Sequence, residues 1–272
     1  MKNETGKLST VRIPLQEKAQ AGRVPAQGES LVADWLPPKP GGSGRVAVFV
    51  HGLASDRQGE KALYFRERFA EKGWGFLAMD LRSHGDTGGS LKELTLTRSI
   101  EDLSASLNWL SAQREPRAAP PVLIGSSMGG AVIAWHHMAN PQASGPLVML
   151  APALTFPSRL LWDLTPEQLQ RWRETGVHRL PSDWTSLEMG FCLAEDATNY
   201  EAHTLLRGYA AHTLIFQGMK DTAVPWRGSQ SFVEDCHCPH LDLVLLKEGD
   251  HRLTAHKAFI FETMWHWLAA KA

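Results

Sequence analysis

From residue 45 onward, short apolar runs alternate with longer stretches in which apolar residues recur every three or four positions. The runs "RVAVFVHG" (45–52), "GFLAMDL" (75–81), "PPVLIGSS" (120–127), "GPLVMLAPA" (145–153), "HTLIFQG" (212–218) and "LDLVLLKEG" (241–249) are bounded by glycine or proline, and they read as buried strands. Between them, "GEKALYFRERFAEKGW" places Leu63, Phe65 and Phe69 at helical spacing. "SIEDLSASLNWLSAQ" places Ile100, Leu103, Leu107 and Leu110 on one helical face, with Ser99 as its expected cap. "MGGAVIAWHHMA", "RGSQSFVEDC" and "HKAFIFETMWHWLAA" complete the helices. Two further strands, "LSTVRIPLQ" (8–16) and "ESLVADWLPP" (29–38), precede the turn-rich "PPKPGGSG".

Alternation of this kind predicts a parallel sheet with helices on both faces. Sites in such sheets lie at the carboxyl ends of the strands. The pattern breaks once, between about 152 and 207. That stretch holds no buried strand run, carries Trp162, Trp172 and Trp184, and is too long for a plain loop. It reads as a helical cap insertion (152–207) in a core made of 1–151 and 208–272. Its clearest helix is "TPEQLQRWRETG" (165–176), with Thr165 as N-cap and Pro166 at the first helical position. The insertion's tryptophans can form a small core of its own or line an apolar acyl pocket.

The junction of the third run with its helix is the first chemical signal. Gly125-Ser126-Ser127-Met128-Gly129 fits G-x-S-x-G only when centred on Ser127, since centring on Ser126 puts Ile124 and Met128 at the glycine positions. A serine on a sharp strand-to-helix turn has a strained backbone, and its neighbours two positions away must pass close together. The turn also sets the hydroxyl at a helix amino end, where backbone N–H groups are unpaired. A phosphate loop is excluded by the glycine spacing and the missing G-K-[ST]. The plain alternative is a glycine turn without chemistry.

A serine needs a base, an orienting acid and donors for the oxyanion. Of twelve histidines, His251 in "GDHRL" directly follows a strand. Asp221 in "GMKDTAVP" follows the strand before that. The chain order Ser127, Asp221, His251 is the one associated with this turn. Asp250, Asp80 and Asp86 are rival acids. The N–H groups of Leu53, after the first run of the alternation, and of Met128 are the expected oxyanion donors. His51 reads as a structural neighbour that shapes the Leu53 loop.

With these segments together, "VFVHGLASDRQGEKA", "FLAMDLRSHGDTGG", "LIGSSMGG", "GMKDTAVPW" and "EGDHRL", the chain resembles the α/β-hydrolase superfamily. Within it, the chain is similar to small serine esterases of the feruloyl-esterase type and of the palmitoyl-protein thioesterase and acyl-glucuronide esterase type. The resemblance implies an α/β-hydrolase fold with a mostly parallel eight-stranded sheet, a Ser-Asp-His triad, a cap and no cofactor. It implies a carboxylesterase or acyl-thioesterase acting through an acyl-enzyme on a small-molecule ester, with an apolar acyl group. A peptidase or acyltransferase with the same triad, or a non-catalytic ligand-binding member, are the alternatives.

Composition narrows this further. The net charge of −1 offers nothing to nucleic acid or an anionic surface. No apolar run approaches a transmembrane span, and the polar start and three cysteines, Cys192, Cys236 and Cys238, suggest a reduced cytoplasm. "CHCPH" (236–240) lacks the usual ligand spacing for zinc and no metal is expected. His136 and His137 read as packing residues, and Arg159 as a surface arginine.

Overall fold

A computed structural model of the chain describes residues 6–15, 29–115, 118–180 and 187–271. Ten strands and nine α-helices are found among these residues. Eight strands form one sheet: β1 (Ser9–Pro14), β2 (Ser30–Leu36), β3 (Val46–Val50), β4 (Gly75–Met79), β5 (Val122–Ser126), β6 (Leu147–Leu150), β9 (Thr213–Gly218) and β10 (Leu241–Leu246). Their order is β1-β2-β4-β3-β5-β6-β9-β10. The β1–β2 and β2–β4 pairs are antiparallel and every other pair is parallel. This is the mostly parallel eight-stranded sheet that the resemblance implies.

The strand sequences are apolar at consecutive positions because both faces are covered. Side-chain alternation sorts them into two cores. Val46, Val48, Val50, Leu77, Met79, Leu123, Leu147, Met149 and Ile215 face one core, with α2 (Leu96–Ala112), α3 (Met128–Ala139) and α8 (Trp226–Asp235). Ala47, Phe49, Phe76, Ala78, Ile124, Val148, Leu150, Leu214 and Phe216 face the other, against α1 (Glu60–Glu71) and α9 (Lys257–Ala270). There Phe69 of α1 meets Phe261 of α9 edge-on at 5.2 Å between ring centres.

Two helix details differ from the sequence expectation. The buried stripe of α1 is Ala62, Phe65 and Phe69, with Leu63 only half-buried. Helix α2 begins at Leu96 and is capped by Thr95, whose hydroxyl accepts the Arg98 N–H at 3.0 Å. Ser99 lies inside the helix with its hydroxyl turned back to the Thr95 carbonyl. The apolar periodicity starts one turn earlier than Ile100 because Leu96 is itself buried.

The segment between β6 and β9 contains α4 (Ser158–Trp162), α5 (Pro166–Thr175), α6 (Cys192–Asp196) and α7 (Ala202–Gly208). Helix α5 has the expected Thr165 cap, completed as a box by Gln168, and ends at Gly176 in the left-handed region. The insertion holds the expected helices and, beyond that expectation, a hairpin: β7 (Val177–Leu180) pairs antiparallel with β8 (Leu187–Gly190). These strands are short and mixed in polarity, with Arg179 paired to Glu188 across them, so no buried run announced them. Trp172 is the buried centre of this unit, its Nε1–H donating to the Met189 carbonyl at 3.0 Å. Trp162 is 62% exposed, and Trp184 lies outside the described residues.

Candidate active site

The strand order brings the carboxyl ends of β3, β5, β6, β9 and β10 to one rim, and the chemistry named from the sequence gathers there. Ser127 links β5 to α3 with φ 52° and ψ −117°, a conformation a non-glycine residue adopts only under strain. Its N–H donates to the Leu150 carbonyl at 2.9 Å, and its own carbonyl accepts the Ala153 N–H at 3.0 Å. The flanking glycines are required by contact. A Cβ on Gly125 would stand 2.4 Å from the Gly129 carbonyl oxygen, and one on Gly129 would stand 2.2 Å from that of Val50. Ser126 is the buried last residue of β5.

His251 Nε2 lies 3.1 Å from Ser127 Oγ, and its Nδ1 lies 2.8 Å from Asp221 Oδ2. An ionised carboxylate can only accept, so Nδ1 carries the proton and Nε2 presents its lone pair to the serine. The Asp221 carboxylate is fully buried, and four donors hold it. Oδ1 accepts the Ala223 and Val224 N–H groups at 2.9 and 2.7 Å, and Oδ2 accepts His251 and Gln217 Nε2. Each rival acid is engaged elsewhere. Asp250 Oδ1 accepts the Leu253 N–H, while Asp80 and Asp86 pair with Arg57.

Gly52 lies against Ser127: a Cβ there would stand 3.0 Å from the serine Cβ. Leu53 follows it directly. Among the described residues, neither the Leu53 N–H nor the Met128 N–H donates to a protein acceptor. One of these donors belongs to the residue that follows the serine and the other to the residue that follows Gly52, which lies against it.

The loop that carries Leu53 is tied down at both ends. His51 Nδ1 donates to the Gly52 carbonyl at 2.8 Å and Nε2 accepts the Leu81 N–H at 3.1 Å. Burial, and then the charge of His84, push the His51 pKa down to about 3, so the ring stays neutral and structural. Arg57 closes the loop. Its N–H and guanidinium bind Asp80, and the guanidinium also binds Asp34 and Asp86. Burial opposes its charge, but the three carboxylates raise its pKa above the ordinary value.

Gln217 and Arg57 are functional neighbours that sequence reasoning missed. Gln217 is a buried amide in an otherwise apolar strand: Nε2 donates to Asp221 Oδ2 and the Val224 carbonyl, and Oε1 accepts the Ser229 hydroxyl. A lone glutamine inside "TLIFQG" was the available signal, since a buried amide must be hydrogen-bonded. His136 and His137 are buried packing residues on α3, as expected. Arg159 is half-exposed and pairs with Asp163.

Residues 43–205 match the family described as "Serine aminopeptidase, S33". The chain belongs to this family of α/β hydrolases. Over 212 residues it is 27% identical to the mitochondrial palmitoyl-protein thioesterase ABHD10 of Mus musculus, covering 76% of this chain and 68% of that protein. The Bos taurus protein of the same name is 26% identical over the same length. Among solved structures, a putative hydrolase from Agrobacterium vitis S4 matches this hydrolase with TM-score 0.81 at 23% identity, covering 96% of this chain and 98% of that one. Est1E from Butyrivibrio proteoclasticus, with ferulic acid bound, matches with TM-score 0.79 at 18% identity, covering 96% and 98%. These two likenesses bear on the fold. Among the described residues, no helix is long and apolar enough to cross a membrane.

Proposed function

We propose that this α/β hydrolase cleaves carboxylic esters or acyl-thioesters through an acyl-enzyme on Ser127. The observation that carries the reading is the Ser127–His251–Asp221 hydrogen-bonded chain beside two free backbone donors. Ser127 Oγ attacks the acyl carbon as His251 Nε2 takes its proton, and Asp221 steadies the imidazolium. The carbonyl oxygen, now anionic, is held by the Leu53 and Met128 N–H groups. His251 then returns the proton to the departing alcohol or thiol. Water enters, gives its proton to His251 and attacks the acyl carbon, and Ser127 leaves reprotonated. The names of the thioesterase and feruloyl-esterase relatives support an ester or thioester with an apolar acyl group as substrate.

The test is a series of nitrophenyl esters and acyl-thioesters of rising chain length, compared by kcat/KM, with fluorophosphonate labelling of the serine. Ser127→Ala should abolish both hydrolysis and labelling while leaving the melting temperature within a few degrees. Undiminished turnover in that variant refutes the assignment. The family description as serine aminopeptidases supports a second reading, amide cleavage by the same residues. Aminoacyl-nitroanilides in the same assay separate the two: turnover exceeding that of every ester favours the peptidase.

A further inference from the structure

The inner side of the His251 loop is fixed by main-chain bonds. The Met219 N–H donates to the Leu246 carbonyl and the Lys220 N–H to the Gly249 carbonyl, both at 2.9 Å, and Asp250 Oδ1 accepts the Leu253 N–H at 2.8 Å. The first two bonds join the ends of β9 and β10, and the third closes the loop on itself. The carbonyl of Arg252, next to the histidine, is held from the other side. It accepts the Nζ of Lys61 at 2.5 Å, across 191 positions of sequence. Lys61 stands half-buried in the first turn of α1. Beside it, Glu60 pairs with Lys257 at the start of α9. The amino end of α1 therefore grips both ends of the segment 252–257.

The charged groups that act on the Lys61 ammonium come from each neighbouring element. Glu60 is on its own helix, with Lys257 of α9 beyond it. Asp250 and Arg252 belong to the loop after β10, and Asp221 to the loop after β9.

We infer that Lys61 is a positioning residue for His251: its ammonium holds the Arg252 carbonyl and so fixes the loop that sets the imidazole against Asp221. Burial lowers the Lys61 pKa to about 8, with Asp250 raising it, Arg252 lowering it and Asp221 raising it. The cation is therefore present at neutral pH. The inference rests on the serine-hydrolase reading for its kinetic consequence only.

The experiment is proton NMR of histidine-labelled protein, which reads the His251 Nδ1–H hydrogen bond to Asp221, with the signal assigned by its loss in His251→Asn. In Lys61→Met this downfield resonance should broaden or move upfield, and Lys61→Arg should restore it. Lys61→Ala replaces the Met variant if that one fails to fold. In the same variant kcat for a short nitrophenyl ester should fall about tenfold as the loop loosens, with KM within about twofold. A wild-type Nδ1–H signal in the variant that lacks the ammonium overturns the inference, whatever the turnover. If the wild type hydrolyses no ester, the proposed function fails instead, and the Nδ1–H signal still decides the role of Lys61.

Discussion

Replacing Gly129 by alanine tests whether the turn at Ser127 has the geometry the chemistry needs. The added Cβ would lie 2.2 Å from the Val50 carbonyl oxygen and 2.7 Å from that of His51. Real Cβ atoms essentially never come within 3.0 Å of such a neighbour, so the start of α3 and the end of β3 must part by about 0.8 Å. Both neighbours are backbone and cannot swing aside. The two elements that separate carry the Met128 and Leu53 N–H groups, one each. A misplacement of about 1 Å in a catalytic array costs about 100-fold, comparable to losing one oxyanion donor. Gly129→Ala should therefore lower kcat for nitrophenyl esters about 100-fold. Overpacking should cost about 1–3 kcal/mol and lower the melting temperature by about 2–10 °C. Gly228→Ala is the control: it sits in α8, ordinary in φ, with nothing within 4 Å of its would-be Cβ. That variant should keep full activity and gain roughly 0.5 kcal/mol. A kcat for Gly129→Ala within about threefold of the wild type would refute the claim that the two donors depend on this contact.

Two further variants follow from the same geometry. In Asp221→Asn, an amide oxygen that stays on the Ala223 and Val224 N–H groups turns its NH2 toward His251 Nδ1 and Gln217 Nε2. A donor there favours the wrong imidazole tautomer, so kcat should fall by about 10⁴ with the fold retained; a loss below about tenfold sinks the role given to Asp221. His136 is buried, its Nδ1 has no partner among the described residues, and burial followed by the charge of His137 lowers its pKa to about 4. A folded pKa below the unfolded value of about 6.5 means the unfolded chain takes up the proton first. The stability this provides is complete above pH 6.5 and is lost as the pH falls toward 4. His136→Leu should flatten the fall of the urea midpoint in that window by up to one proton's worth, about 1.4 kcal/mol per pH unit, and leave ester turnover unchanged. An unaltered slope refutes the assignment.

Much of the site was legible because its parts are local. Gly125 and Gly129 select Ser127 by spacing, and the close approaches they permit are between residues four apart or at a strand end. Asp221 and His251 could be named because each follows a visible apolar strand, and parallel strands bring their carboxyl ends to one rim. Arg57 and Lys61 were not legible, and the lone Gln217 of β9 was marked as a buried amide but not by its partner. Their roles depend on which carboxylate or carbonyl the fold brings to them, and Lys61 meets Arg252 only after α1 packs beside α9. Arg57 looks like any loop arginine until Asp34 on β2 and Asp80 after β4 arrive on either side. The β7–β8 hairpin was hidden for a different reason. Its strands are short and half-exposed and keep charged residues facing each other, so neither a period of two nor an apolar run marks them.

The same distinction divides the insertion. Its second half is committed to the core. A Cβ on Gly190 would stand 1.8 Å from the Lys92 carbonyl oxygen, and Asp196 accepts both the N–H and the hydroxyl of Thr97 at the start of α2. Tyr200 meets the same hydroxyl and stacks edge-on with Trp135 of α3. Trp172 fills the space between α5 and the hairpin, which uses up the largest apolar side chain there as internal core. The first half is differently placed. Its Ala153 N–H is bonded to the carbonyl of Ser127 itself, and α4 follows five residues later with Leu160 and Leu161 half-buried and Trp162 in solvent. On the proposed function, substrate preference should therefore track residues 153–164, joined to the serine through Ala153, more closely than the hairpin, whose contacts with Trp172 and Lys92 hold the insertion together.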